Sequence, residues 1–232
     1  MLAALSAEDS SIRLKAALAA GSAADPVLLE ALVERCAVEP DFFVRDMLSW
    51  ALTRLPPAVA LPRIRRELDS AHAQARSQAL HTLSKIGDPA AWAWITRDML
   101  RDTDDEVART VWRVAVALVP EDGRAELAED LARQLGRGDR SVQLSLSRAF
   151  VDLGGGSEPV LEKAAAHPDP AVAAHARATL LLLDDPETGF DEALFEAKRV
   201  TALGPERTAA AEAARASAGT AAAVAPEGAP DC

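Results

Sequence analysis

At 232 residues with 49% hydrophobic content, the chain has enough apolar mass for a sizeable core, which excludes a wholly disordered protein. A formal net charge of −11 argues against a general nucleic-acid binder, since phosphate contacts need a basic stripe that this composition would have to segregate onto one face. Two cysteines exclude a disulfide framework and a thiolate metal site, and point to a reducing, cytoplasmic setting.

Aromatics make up 4% of the residues and Tyr is missing, so the apolar mass is mainly Ala, Leu and Val. That composition favours closely packed helices and predicts an all-α fold. Basic residues are 21 Arg against four Lys, a skew that fits a GC-rich, bacterial coding sequence. The N-terminus lacks a basic region followed by an apolar core, and no apolar run reaches membrane-spanning length, so no membrane is expected as a partner.

Read in chain order, one template recurs. At Asp41 it runs acidic, two free positions, Val44, Arg45, then apolar at Leu48, Ala51, Leu52 and Leu55. Offsets of +4, +7, +8 and +11 from Val44 trace one stripe of a helix. A truncated first copy has Asp9, Ile12, Arg13, Ala16 and Ala19, and a degraded third has Ala75, Arg76, Ala79, Thr82 and Leu83. Full copies follow from Asp104, Asp139 and Asp169. The reference positions 12, 44, 75, 107, 142 and 172 are spaced by 32, 31, 32, 35 and 30 residues, which marks an internal repeat.

Between the copies lie second helical segments, expected over 26–38, 57–68, 89–100, 123–135 and 159–166. Four of them start at a proline, which loses no needed hydrogen bond in a first turn. Gly21, Gly87 and Gly154 are read as helix stops, and the repeat aspartates as N-caps that also pair with the repeat arginines. Asp191 to Leu203 is expected to be an amphipathic capping helix shielding the end of the core. The chain from Gly204 to Cys232 is Ala, Glu, Pro and Gly with one apolar valine, Val224, and is expected to be disordered. The division is therefore 1–203 folded and 204–232 tail.

The motif Asp-x-x-Val-Arg, followed by Ala-Leu and a terminal Leu-Gly, resembles the HEAT repeat, especially its bacterial, phycobilisome-lyase-like variety. The resemblance spans roughly residues 6–186. It implies a right-handed α-solenoid of about six helix pairs, and a function in scaffolding, partner binding, chromophore handling or DNA repair. It further implies that the second helix of each pair lines a concave face.

On those helices position +6 points away from the core stripe, and it reads Leu18, Trp50, His81, Arg113, Arg148 and Ala178. Position +2, one turn earlier, adds Asp46, Ser77, Arg109 and Leu144. Asp46, Trp50, Ser77, His81, Arg109, Arg113 and Arg148 are thus the candidate partner-binding groove, because Trp and Arg dominate binding hot spots. The competing expectation is that Trp50 packs into the next repeat and the arginines pair with Asp46 or Asp152. Trp92, Trp94 and Trp112 are expected to be packing residues.

Catalytic chemistry finds little support. The four histidines are scattered without a His-Glu dipeptide, so neither metal nor cofactor is expected. Gly154-Gly155-Gly156 follows a helix and lacks the Lys-Ser/Thr pair of a phosphate loop. The expected function is a non-enzymatic scaffold, monomeric, with a protein or peptide on the concave face. The alternatives are a HEAT-like alkylation-repair glycosylase, with Trp50, Asp46 and Arg113 around a base, and a bilin lyase-like chaperone.

Overall fold

The computed structural model describes residues 1–186 and 189–203, and the expected disorder of 204–232 lies outside the described residues. The protein is all-helical, with no strand among the described residues. Six long helices, α2 (Ser10–Ala23), α4 (Phe42–Thr53), α6 (Ala73–Ile86), α8 (Asp105–Leu118), α10 (Arg140–Leu153) and α12 (Pro170–Asp184), each pack against the next. Shorter segments lie between them: α3 (Leu29–Val38), α5 (Pro57–Glu67), α7 (Arg97–Leu100), α9 (Arg124–Ala132) and α11 (Glu158–Ala165). A four-residue α1 (Leu2–Leu5) precedes this row and α13 (Phe190–Leu203) closes it.

The long helices begin where the aspartates predict. Asp9, Asp41, Asp104, Asp139 and Asp169 each accept hydrogen bonds from amides at the start of the following helix, satisfying donors that have no intrahelical partner. The stripe is buried as its spacing requires: Val44, Leu48, Ala51, Leu52 and Leu55, then Val107, Val111, Val114, Ala115 and Leu118. The first copy departs from this. Ile12 is 47% exposed and Ala19 is also exposed, because α2 has a long neighbour, α4, on one flank and only the short α1 besides.

Three further expectations are corrected. Gly21 does not stop a helix; α2 runs on to Ala23 and is closed by Ala24 in the left-handed region at φ 50°. Gly87, at φ 67°, does close α6, and Gly154 follows α10 at φ 87°. The segment 89–100 is not one helix but a 3₁₀ stretch, Pro89–Trp94, followed after a break by α7. The break falls at Thr96, whose hydroxyl accepts from the Met99 amide and so caps a new helix in preference to sitting inside the old one.

The aspartate caps do not hold the repeat arginines. Arg13 donates from Nη1 to the carbonyls of Ala7 and Glu8, and through Nε and Nη2 to Glu39 at 2.7 and 2.8 Å. Arg76 repeats this with the carbonyls of Ser70 and Ala71 and with Asp102. Each acid stands two residues ahead of the next helix's cap and accepts that cap's amide, Asp41 onto Glu39 and Asp104 onto Asp102. One carboxylate thus ties the loop before one long helix to the arginine of the previous one. Arg45 has the two carbonyls, of Glu39 and Pro40, but Ser70 occupies the place of the acid, its Oγ accepting the His72 amide at 3.3 Å.

Candidate functional site

The predicted residues lie on four consecutive long helices: Asp46 and Trp50 on α4, Ser77 and His81 on α6, Arg109 and Arg113 on α8, Arg148 on α10. Hydrogen bonds join neighbouring helices across this face. Lys85 of α6 donates to Asp46 at 2.6 Å, and His81 Nε2 stands 3.7 Å from the same oxygen. Ser77 Oγ and Thr110 Oγ1 are 3.1 Å apart, and Arg113 Nη2 donates weakly to Thr110 at 3.4 Å. Arg109 bridges Ser145 Oγ of α10, at 2.8 Å, and Glu106 of its own helix, at 2.6 Å.

The electrostatics follow from this arrangement. The Lys85 ammonium holds the Asp46 carboxyl below the usual carboxylate range. Half-burial depresses His81, and the charges of Lys85 and Arg113 push it further down, against the opposing pull of Asp46, so the imidazole is neutral near pH 7. Lys85, Arg109, Arg113 and Arg148 face Asp46 and Glu106, which leaves an excess of positive charge on a chain whose formal charge is −11. Arg113 and Arg148 are exposed and neither meets a carboxylate among the described residues. The expected pairing of these arginines with Asp46 or Asp152 is thereby corrected, since Asp46 is taken by Lys85.

Trp50 is half-buried and packs backwards, on α2, rather than into the next helix. A Cβ on Gly21 would lie 2.3 Å from Trp50 Cζ3, so the ring occupies the space that only glycine leaves open. Trp112 is fully buried and donates Nε1–H to the Leu100 carbonyl at 2.9 Å. Trp92 and Trp94 pack against the core, with the Arg65 guanidinium 5.3 Å from the Trp94 ring centroid.

Lys85, Thr110 and Ser145 were missed in the sequence. Lys85 stands at +10 of its helix, one turn beyond His81, and extending the +2, +6 series by one step would have found it. Thr110 and Ser145 occupy +3, beside the core stripe, where a small hydroxyl residue reads as a core filler.

The C-terminal end of the same face is covered. Helix α13 packs on α12, the last long helix, with Phe190, Ala193 and Ala197 buried against Ala174, Ala178 and Leu182, beside Leu144 and Val151 of α10. Ala174 and Ala178 are the +2 and +6 positions of α12 and Leu144 is +2 of α10, so the small and apolar residues of that series form the seat of α13. Arg140 binds Asp191 and Arg177 binds Thr201, fixing the helix at both ends.

A second buried cluster joins α10 to α12. His175 is fully buried; its Nδ1 accepts the Gly136 amide at 3.0 Å, and its Nε2 lies 3.0 Å from the Gln143 carbonyl and 3.1 Å from Ser147 Oγ. Ser147 Oγ is 2.8 Å from Thr179 Oγ1. The Gly136 bond places the imidazole proton on Nε2.

No protein-family profile matches this chain, and no curated protein matches it either. A solved crystal structure of an engineered protein is similar to it at 20% identity and a TM-score of 0.42, covering 79% of this chain and 94% of that one. The fold and the face together define an all-helical protein with a polar strip crossing four parallel-packed elements.

Proposed function

We propose that the chain is a right-handed α-solenoid of six HEAT-type helix pairs that acts as a non-enzymatic, cytoplasmic scaffold. It holds an acidic or aromatic segment of a protein partner across α4, α6, α8 and α10. The repeat spacing, the serial packing of the long helices and the regular caps support the architecture.

One observation carries the binding reading: Arg113 and Arg148 stand at the same turn of adjacent helices, exposed and without carboxylates, on a protein rich in acid. Guanidiniums left free in this way grip carboxylates in paired hydrogen bonds. The glycosylase reading is weaker, because Asp46 is engaged by Lys85 and Trp50 is seated over Gly21, so neither is free to receive a base.

The test is recovery of the partner from the source cells, followed by binding measurements with purified components. Arg113→Glu with Arg148→Glu is expected to weaken binding about tenfold or more, while Glu34→Lys, exposed on α3, leaves it unchanged. Equal affinity for all variants sinks the proposal. Trp50→Ala is a poor probe because it empties the space over Gly21, and reversing Arg65 breaks its stacking on Trp94.

A further inference from the structure

On the row of shorter helices, away from the strip described above, α9 and α11 part to leave a cleft of about 780 Å³. That volume falls within the range of binding pockets, roughly 300–1,000 Å³. Its floor is aliphatic, made by Ala132, Leu135, Val160, Ala164 and Val172. The Gly136 backbone, at φ 82°, closes one end by lying against Val172.

The rim has the opposite character. Lys163 is exposed and meets no carboxylate among the described residues. Arg133 is also exposed, and its partner Asp130, at 2.7 Å, is shared with Arg97 at 2.9 Å and Arg101 at 3.7 Å. Arg97 and Arg101 reach Asp130 from the other flank of α9, so of the three guanidiniums Arg133 alone lines the cleft. Glu126 also binds Arg97, and Glu129 is the one acid on the cleft's edge. His167 stands opposite, its Nδ1 accepting the Asp169 amide at 3.1 Å, which leaves Nε2–H as the ring's donor.

We infer that this cleft is a second docking site, for an acidic segment of a partner protein whose aliphatic side chains fill the α9–α11 floor while its carboxylates meet Lys163 and Arg133. Charge complementarity selects this occupant. The lining carries two cations, Arg133 and Lys163, to one acid, Glu129, on a chain of net charge −11, so an acidic segment meets less repulsion there than elsewhere on the surface. Without an aromatic side chain in the floor, the apolar contribution comes from shape and burial, which suits Leu, Val or Ile.

The inference is independent of the strip on the long helices, and the experiment separates the two. A short fluorescent peptide alternating Leu and Glu is titrated into the full chain by fluorescence polarisation, beside a counterpart alternating Leu and Lys. The Leu/Glu peptide is expected to bind and the Leu/Lys peptide to fail. Lys163→Glu should weaken binding about tenfold or more, as should Val160→Glu, which puts a charge in the floor. The titrations are run on the Arg113→Glu, Arg148→Glu chain, so that the strip on the long helices contributes no cationic site for the peptide. Lys163 is exposed, so its variant folds as wild type, which circular dichroism checks. Failure of the Leu/Glu peptide to bind, equal binding of both peptides, or indifference to Lys163→Glu would each overturn the assignment.

Discussion

The Trp50 ring lies over Gly21 so closely that a Cβ built on the glycine would stand 2.3 and 2.6 Å from two ring carbons and 3.0 Å from the Ala51 Cα. Two of these neighbours belong to a rigid ring and one to backbone, so none yields cheaply. Gly21→Ala raises helix propensity by about 1 kcal/mol in an ordinary helix interior. Here the clash outweighs that gain, and urea unfolding should show a net loss of ~1–3 kcal/mol. The double variant with Trp50→Ala should lose less than the sum of the two singles, because removing the ring removes the clash. A stabilised Gly21→Ala protein would refute the contact.

Glu39 is fully buried between Arg13 and Arg35. Burial acts to raise its pKa, but the hydrogen bonds from Arg13, from Arg35 and from the Asp41 amide outweigh it and bring it down to about 2. The folded pKa lies below the ordinary value of 4.5, so the stabilisation is complete above that pH and is lost as pH falls towards about 2. Glu39→Ala leaves buried guanidinium without a partner and should cost about 3–5 kcal/mol at neutral pH. Its stability should also become less sensitive to pH in that acid window, measured by thermal unfolding from pH 5 to 2.5.

His175 titrates in a different window. Burial lowers its pKa from 6.5 to about 4, since protonation would charge a dry site and take Nδ1 away from the Gly136 amide. The unfolded chain binds the proton more readily, so stability is highest above pH 6.5 and declines as pH falls towards about 4, by on the order of 3 kcal/mol in total. His175→Gln should flatten the curve between pH 7 and 4.5 while leaving the Glu39 window intact. A variant with the wild-type slope would assign that slope to another group.

Leu52 and Leu83 occupy equivalent core positions on α4 and α6, 2% and 0% exposed. Truncating either to Ala opens a void between packed helices and should cost ~2–5 kcal/mol in chemical denaturation. Wild-type stability in either variant would contradict the register of the repeat.

What the sequence conveyed well was local. The cap aspartates and the +4, +7, +8 stripe act within one helix, and the structure places both as their spacing requires. The side-chain series at +2 and +6 also falls on one face, as helical geometry demands. The relationships that escaped join residues far apart in the chain: Arg13 with Glu39, Gly21 with Trp50, Phe190 with Ala178. Gly21 carries the same letter as Gly87, and only the neighbouring helix shows that one makes room for a ring while the other turns the chain. Likewise α13 is amphipathic by any reading, but its target is chosen by Ala174 and Ala178, whose small size gives no signal until a helix is seen lying on them.

The arginine that reaches forward to an acid 26 residues on makes two junctions between long helices, α2 with α4 and α6 with α8, matched locks. Arg13 reads Glu39 and Arg76 reads Asp102, but Ser70 holds the corresponding place for Arg45. The modules are consequently not interchangeable parts. Splicing the first long helix directly onto the third would set Arg13 opposite Ser70, leaving an enclosed guanidinium without a carboxylate, whereas a splice that delivers Arg76 to Glu39 keeps a matched pair. Shuffled or shortened versions of this array should therefore tolerate some joints and reject others, and the residue two places before each cap, rather than the apolar stripe they all share, decides which.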